Sequence, residues 1–286
     1  MTKRTFDVVV WGATGFTGRL VAEYMVRTYG IGGDITWAVA GRSASKLESL
    51  RKNIAGSDAD GIPQIVADSQ DETSLRNLVA ATRVVCSTVG PYAMYGSLLV
   101  QFCAEQGTHY CDLAGEIHWM CDMMERHGAA AEASGARIVH SCGFDCIPSD
   151  LGTYFVQSQM QERHGVYATR VKGRVVNFAG GLSGGTFASM VSMMEEAKVN
   201  PGVLDLMADP YALNPPNLPR GDDGEDQTGA RYDQDFHQWT APFMMAGVNT
   251  RVVRRSHAQL GFPWGRHFVY DEAMLTGDGP GGFLRA

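Results

Sequence analysis

The stretch "VVVWGATGFTGRL", Val8 to Leu20, decides how the first half of the chain is read. A short β-branched run, "FDVVVW" (6–11), leads into glycines at Gly12, Gly15 and Gly18, and these lead into a segment of helical character. In a strand–turn–helix context this spacing predicts a nucleotide-binding turn. Gly12 allows the tight turn, Gly15 lets the backbone approach a diphosphate, and Gly18 lets the helix pack closely on the sheet. Ala13, Thr14, Phe16 and Thr17 complete the turn, whose amide hydrogens face phosphate charge at the helix N-terminus. The alternative reading is a turn with a packing glycine.

Outward from that turn, apolar runs and helical periods alternate. Strands are predicted at 6–11, 35–41, 64–68 and 83–90, then in "THYCDLAG" (108–115) and "ARIVHSCG" (136–143). Helices are predicted between them, from about Gly15 to Tyr29 with Leu20, Val21, Tyr24 and Met25 on one face, and at 117–134. Six strands alternating with five helices imply an α/β fold, a Rossmann-type doubly wound parallel sheet, because each parallel crossover needs a helix. Residues 1–150 are expected to form this domain, and 151–286 a second, smaller α+β domain for substrate or dimerisation.

The end of the second strand bears on the choice of dinucleotide. A free ribose 2′-hydroxyl is usually held there by Asp or Glu. This chain offers "AGRSASK" instead, with Arg42, Ser43 and Lys46 and no carboxylate before Glu48. A guanidinium can fork onto a 2′-phosphate, so the reading favours NADP over NAD. Asp68, at the end of the third strand, is read either as an acceptor for the adenine amine or as a loop cap.

Two further loops leave strand ends where such sheets hold their ligands. In "STVGPYAMYG" (87–96), Val89, Gly90 and Pro91 let the main chain pass close to a flat ring, and Tyr92 is expected to point into the cleft. In "SCGFDCIPSDLG" (141–152), Cys142, Gly143 and Phe144 are assigned to the cofactor. Pro148 marks a helix start with Asp150 in its first turn. Tyr92 is the first candidate for orienting or protonating substrate and Asp145 the second. His140, Cys142 and Cys146 match no closed zinc spacing, so no metal is expected. None of the ten tyrosines has Lys four residues later, which removes the Tyr-x3-Lys mechanism of short-chain dehydrogenases.

Composition narrows the class. The 286 residues are 44% hydrophobic and 19% charged, with net charge −7, and suit a globular chain with a real core. The acidic balance argues against nucleic-acid binding. No apolar run reaches the roughly 18 residues of a spanning helix. Lys3 and Arg4 mimic the start of a secretory signal, but the apolar run passes into the glycines without a cleavage site. Six cysteines in mostly apolar segments read as reduced thiols of a cytoplasmic protein.

In the second half, 170–178 reads as a half-exposed strand and "GGLSGGT" (180–186) as a turn before a helix to Val199. Met190, Met193 and Met194 read as core packing or the lining of a lipid-facing groove rather than a cofactor box, with plain packing favoured. Residues 214–235 read as a solvated loop or lid, 241–261 as a helix ending in Arg251, Arg254 and Arg255, and 266–275 as a strand. Those arginines are read as a solvated helix end, with contact to an acidic carrier as the alternative.

"GATGFTGRLVAEY", "AGRSASKL", "VGPYAMYG", "GTHYCDLAGE", "CGFDCIPSDLG", "GGLSGGTFASM" and "APFMMAGVNTRVVRRS" together resemble the saccharopine dehydrogenase-like oxidoreductases, nearest to the trans-acting enoyl reductases. The resemblance implies an NADP-binding domain followed by an α+β domain. It also implies reduction of an enoyl or carbonyl group on a small-molecule or carrier-bound acyl substrate in lipid metabolism, with peripheral membrane association and a homodimer as compatible arrangements. Basic residues of a saccharopine site have no match here. The chain stops at Ala286 where members continue, and "GDGPGGFLRA" reads as mid-protein loop, so the reading is either a C-terminally truncated member or one whose final elements are dispensable. A non-catalytic NADP-binding scaffold or lipid-associated interaction protein is the alternative function.

Overall fold

The computed structural model describes residues 4–177 and 184–286. Lys3, Phe178 and the first four positions of "GGLSGGT" therefore lie outside the described residues. The chain divides into two compact units, one of Met1–Cys142 with Ser183–Met193, the other of Gly143–Leu182 with Met194–Ala286.

The first unit is built on β1 (Phe6–Trp11), β2 (Trp37–Gly41), β3 (Gln64–Val66), β4 (Thr82–Ser87), β5 (His109–Cys111) and β6 (Ile138–Val139). All pairings are parallel and the order is β3-β2-β1-β4-β5-β6, so the chain reverses direction between β1 and β4. The returns are made by α1 (Phe16–Tyr29), α2 (Ala44–Ala55), α3 (Glu72–Ala81), α4 (Tyr92–Tyr95) with α5 (Ser97–Gln106), and α6 (Ile117–Ser134). Local chemistry sets their starts. Ser43 accepts from Lys46 N to cap α2, and Asp71 accepts from Thr73 N and Ser74 N to cap α3. Val10, Trp37 and Val39 pack with Ala22, Met25, Leu47 and Leu50 in one cluster.

Helix α1 is rotated from the face that periodicity suggests. Gly18, Ala22 and Met25 are its buried residues, while Leu20 and Tyr24 are exposed with Phe16. The cause is Gly18, which has no side chain and draws the 18/22/25 stripe against the turn.

In the second unit, α7 (Ile147–His164) starts with proline in its first turn and ends at Gly165, whose φ is 71°. It is followed by β7 (Arg170–Val175), α8 (Gly184–Val199, whose residues to Met193 belong to the first unit), α9 (Gly202–Ala208), β8 (Arg231–Asp233) and β9 (Gln238–Pro242). Then come α10 (Ala246–Gln259), β10 (Val269–Gly277) and α11 (Gly279–Arg285). The sheet order is β7-β10-β9-β8, with β10 parallel to β7 and antiparallel to β9. Val253, Trp264, Phe268 and Tyr270 form its core cluster. The "GDGPGGFLRA" segment is not loop: it forms the end of β10 and then α11.

Further expectations for this half are revised. Arg251 and Arg254 are not a solvated helix end, since they are 3% and 4% exposed. Arg251 pairs with Asp226, and Arg254 pairs with Asp223 while donating to Pro210 O. The acidic 214–235 stretch is exposed over much of its length, as expected of a solvated loop, but it is pinned at Asp223 and Asp226. Its Asp233 also binds Lys172 and Arg174 of β7. Burial opposes the charge on Asp233, but those two cations hold its carboxyl well below the usual carboxylate range. The methionines of α8 are likewise not core, for no described residue of that helix is buried and Met194 is 66% exposed. Among the described residues no helix is long and apolar enough to cross a membrane.

Removing one member of a buried pair strands the other charge. Arg254→Ala is therefore expected to destabilise the second unit by about 3–5 kcal/mol, read as a shifted urea midpoint by circular dichroism. Arg19→Ala, which breaks an exposed pair with Glu23, should leave the midpoint within about 0.5 kcal/mol of wild type.

Candidate functional site

The turn after β1 is built around close backbone approaches. Gly12 has φ 83°, and a Cβ there would lie 2.5 Å from Val89 Cγ2 and 2.9 Å from Thr88 Oγ1. A Cβ on Gly18 would lie 2.1 Å from the Gly12 carbonyl oxygen. No side chain fits at either position. Gly12 N and Ala13 N donate to Ala40 O, which ties the turn to β2. Gly15 caps α1 with no side-chain hydrogen bond, and no acid stands in the helix's first turn. The helix thus presents uncapped N–H groups and its positive dipole end, the arrangement that receives a diphosphate.

Beside it lies a cavity of about 360 Å³ lined by Thr14, Arg42, Ser43, Lys46 and Asp68. Ser43 Oγ accepts from Lys46 N at 3.3 Å and lies 3.1 Å from Ser45 Oγ, a pair in which either hydroxyl can donate. Asp68 caps its own loop, with Oδ1 accepting from Gln70 N at 2.9 Å. One guanidinium, one ammonium and a hydroxyl at the start of α2 fit a phosphate on the adenosine ribose.

The loop after β4 forms the opposite wall. Thr88 Oγ1 donates to Trp11 O and Gly12 O, joining this loop to the glycine turn. The Gly90–Pro91 peptide is cis, and Tyr92 follows it as the first residue of α4. Tyr92 does not point into an open cleft. It is 5% exposed, its hydroxyl donates to Ser87 O at 3.2 Å and accepts from Leu113 N at 3.1 Å, and its ring stacks on Trp119. Burial, then the neighbouring Asp112, raise the phenol far above its ordinary range. A phenol so placed keeps its proton and braces the wall.

Two buried carboxylates hold the loops in place, and composition did not single them out. Glu116 accepts from Tyr92 N at 2.8 Å, Ala93 N at 2.9 Å and the Ser189 hydroxyl at 2.8 Å. Asp112 accepts from Ala114 N and Ser141 N through Oδ1, and its Oδ2 lies 2.7 Å from His140 Nδ1. Ser141 has φ 61°, a strained position for a residue with a side chain, and this carboxylate holds it there. Cys142 N donates to Asp112 O at 2.7 Å.

Residues 8–139 match the family model described as the saccharopine dehydrogenase NADP binding domain. A protein of Mycobacterium tuberculosis (strain ATCC 25618 / H37Rv), provisionally named a trans-acting enoyl reductase, is 41% identical over 282 residues, covering 96% of this chain and 66% of its own length. The chain belongs to the saccharopine dehydrogenase-like family. A second member, the trans-acting enoyl reductase of Mycobacterium leprae (strain TN), is 36% identical over 287 residues, with the same shares of 96% and 66%. The chain thus spans just under two thirds of the length of these curated relatives. Apo saccharopine dehydrogenase (L-Glu forming) from Saccharomyces cerevisiae is a distant structural likeness: TM-score 0.39 and 21% identity over 56% of this chain and 32% of that one.

In this saccharopine dehydrogenase-like chain, Gly12 to Gly18, Arg42, Ser43, Lys46, Asp68, Val89, Gly90, Pro91, Tyr92 and Cys142 all fall in the first unit; Thr14, Arg42, Ser43, Lys46 and Asp68 line one cavity, and Gly12 approaches Val89. Gly143, Phe144 and Asp145 fall in the second unit, where Phe144 and Asp145 are exposed. Sequence reading passed over Thr88, Asp112, Glu116, Ser141 and Ser189. A signal was present for two of them, since Asp112 and Glu116 are acids inside the otherwise apolar "YCDLAGEI".

Tyr92→Phe removes the acceptor of the Leu113 amide, and an unsatisfied buried donor costs about 1–3 kcal/mol. The expected outcome is reduced stability with cofactor affinity kept within about threefold. The pH dependence is specific. The folded phenol binds its proton more tightly than the unfolded one, so the Tyr92 contribution is flat below about pH 10 and declines above it. Tyrosinate absorbance should show no titration between about pH 9 and 11 that the Tyr92→Phe variant loses.

Proposed function

We propose that this chain is an NADPH-dependent oxidoreductase that reduces an enoyl or carbonyl group of an acyl or lipid-type substrate, free or carrier-bound. The Arg42 cavity beside the uncapped helix α1 carries this reading. The 36–41% identity to proteins named as trans-acting enoyl reductases supports the substrate class.

When bound, the dinucleotide supplies hydride chemistry of its own, and the protein has to bind, orient and exclude water. The first turn of α1 receives the diphosphate. Arg42, Ser43 and Lys46 hold the 2′-phosphate, with Arg42 as the residue that discriminates against NAD. Val89, Gly90 and Pro91 form a flat main-chain wall for the ring. Tyr92 acts there as a positioning residue, through its hydrogen bonds to Ser87 O and Leu113 N, and delivers no proton. Cys142, Gly143 and Phe144 follow the strained Ser141 at the end of β6, as a second segment facing the cofactor. Asp145 is the remaining carboxyl for proton delivery to substrate.

Losing charge-assisted hydrogen bonds of about 1.5–3 kcal/mol should weaken binding roughly 10- to 100-fold. Arg42→Ala is therefore expected to raise the Kd for NADPH by that factor, measured by nicotinamide fluorescence, while the Kd for NADH changes less than about threefold. Equal losses for both dinucleotides would remove Arg42 from the 2′-phosphate. NADPH oxidation with enoyl thioesters then tests the reaction class. Binding without any oxidation across enoyl and carbonyl acyl substrates would leave a scaffold instead. An unchanged rate in Asp145→Asn would dismiss Asp145 as the proton donor.

A further inference from the structure

A row of register partners crosses the middle of the first sheet. Val10 of β1 pairs with Cys86 of β4, Cys86 with Cys111 of β5, and Cys111 with Val139 of β6. Register partners on parallel strands point to the same face, so the two thiols stand side by side. Neighbouring strands run about 4.8 Å apart, inside the Cα separation of roughly 4.4–6.8 Å that a disulfide spans. Their face is open to solvent toward β6, where Val139 is 49% exposed. Cys86 and Cys111 are both only partly buried, and both are free thiols.

The two sulfurs differ in character. The interaction with the neighbouring Cys111 thiol holds the Cys86 thiol below its usual range against the opposing effect of burial. The same interaction, together with burial, pushes Cys111 up. One sulfur is thus poised to act first as a thiolate and its neighbour to resolve. Cys103, which is wholly buried and pushed up by that burial, has no such environment.

We propose that Cys86 and Cys111 are a redox modification site, at which hydrogen peroxide converts the paired thiols into a disulfide joining β4 to β5. The Cys86 sulfur attacks one peroxide oxygen, the O–O bond breaks, and the departing oxygen leaves as water. The Cys111 sulfur then attacks the resulting Cys86 sulfenic acid. An S–S bond forms, the S–O bond breaks, and a second water leaves. Two thiols lose two electrons and two protons, and one peroxide becomes two waters. The bond lies directly before Ser87 and Thr88, which bind the Tyr92 hydroxyl and the Gly12 carbonyl, so oxidation reaches the anchor of the cofactor walls. A dithiol reductant reverses it by exchange.

The test uses the whole chain, hydrogen peroxide and thiol counting. After denaturation the reduced protein takes up six maleimide labels, one per cysteine. Peroxide-treated protein should take up two fewer, and dithiothreitol should restore them. Cleavage after Glu105 places Cys111 in a different peptide from Cys86 and Cys103. The oxidised wild type should yield these two peptides joined, with fragment ions assigning the bridge to Cys86. Cys86→Ser and Cys111→Ser should each abolish the bridge, and Cys142→Ser should keep it. Retention of all six labels, a bridge through any other cysteine, or sulfinic acid without a bridge would each overturn the proposal. The peptide map reads the wild-type chain, so it decides the matter even if a variant fails to fold.

Discussion

Helix α1 rests on the carbonyl of Gly12, 2.1 Å from where any side chain at position 18 would begin. That contact sets the depth of the helix against the sheet and turns its Gly18/Ala22/Met25 stripe inward. It also leaves Phe16, Leu20 and Tyr24 in solvent. Thr88 closes the arrangement from the far side by donating to the same carbonyl. Three strands, a helix and two loops thus meet at one peptide unit, and the diphosphate cradle is what their meeting leaves over.

The walls beyond the cradle are held by carboxylates rather than by apolar packing alone. Glu116 and Asp112 are both almost wholly buried, and most of their bonds go to backbone amides, those of Glu116 at the start of α4 and those of Asp112 in loops. Each amide bound this way is a donor that folding would otherwise leave unsatisfied. The second unit uses the opposite tactic, pairing buried guanidinium groups with aspartates of the 222–233 segment. Its loops are thereby fixed by full charges, and its basic helix α10 offers little free positive charge to an acidic partner.

What the sequence disclosed was local. The strand–glycine–helix signal, the Ser43 and Asp71 caps and the Pro148 helix start all depend on residues within a few positions of one another. What it withheld was distant. Tyr92 reads as a cleft residue until Ser87 O and Leu113 N claim its hydroxyl. Glu116 reaches the start of α4, 24 residues earlier, and Arg254 reaches a carbonyl 44 residues away. Charge composition cannot separate such a buried pair from a solvated helix end. Strands β8 and β9 escaped for a related reason: such short segments form strands only because β10 supplies an edge for β9, and β9 in turn an edge for β8.

Helix α1, unlike α2 and α3, begins without a cap of its own. Its first-turn amides are completed by water or by an anion that the chain does not itself provide. A ligand bound only by the folded state adds stability by mass action, about 2.7 kcal/mol when its free concentration is 100 times Kd. The lifetime of the first unit is thus coupled to the pool of dinucleotide around it. When the pool falls, the unit opens more often and is exposed sooner to proteolysis.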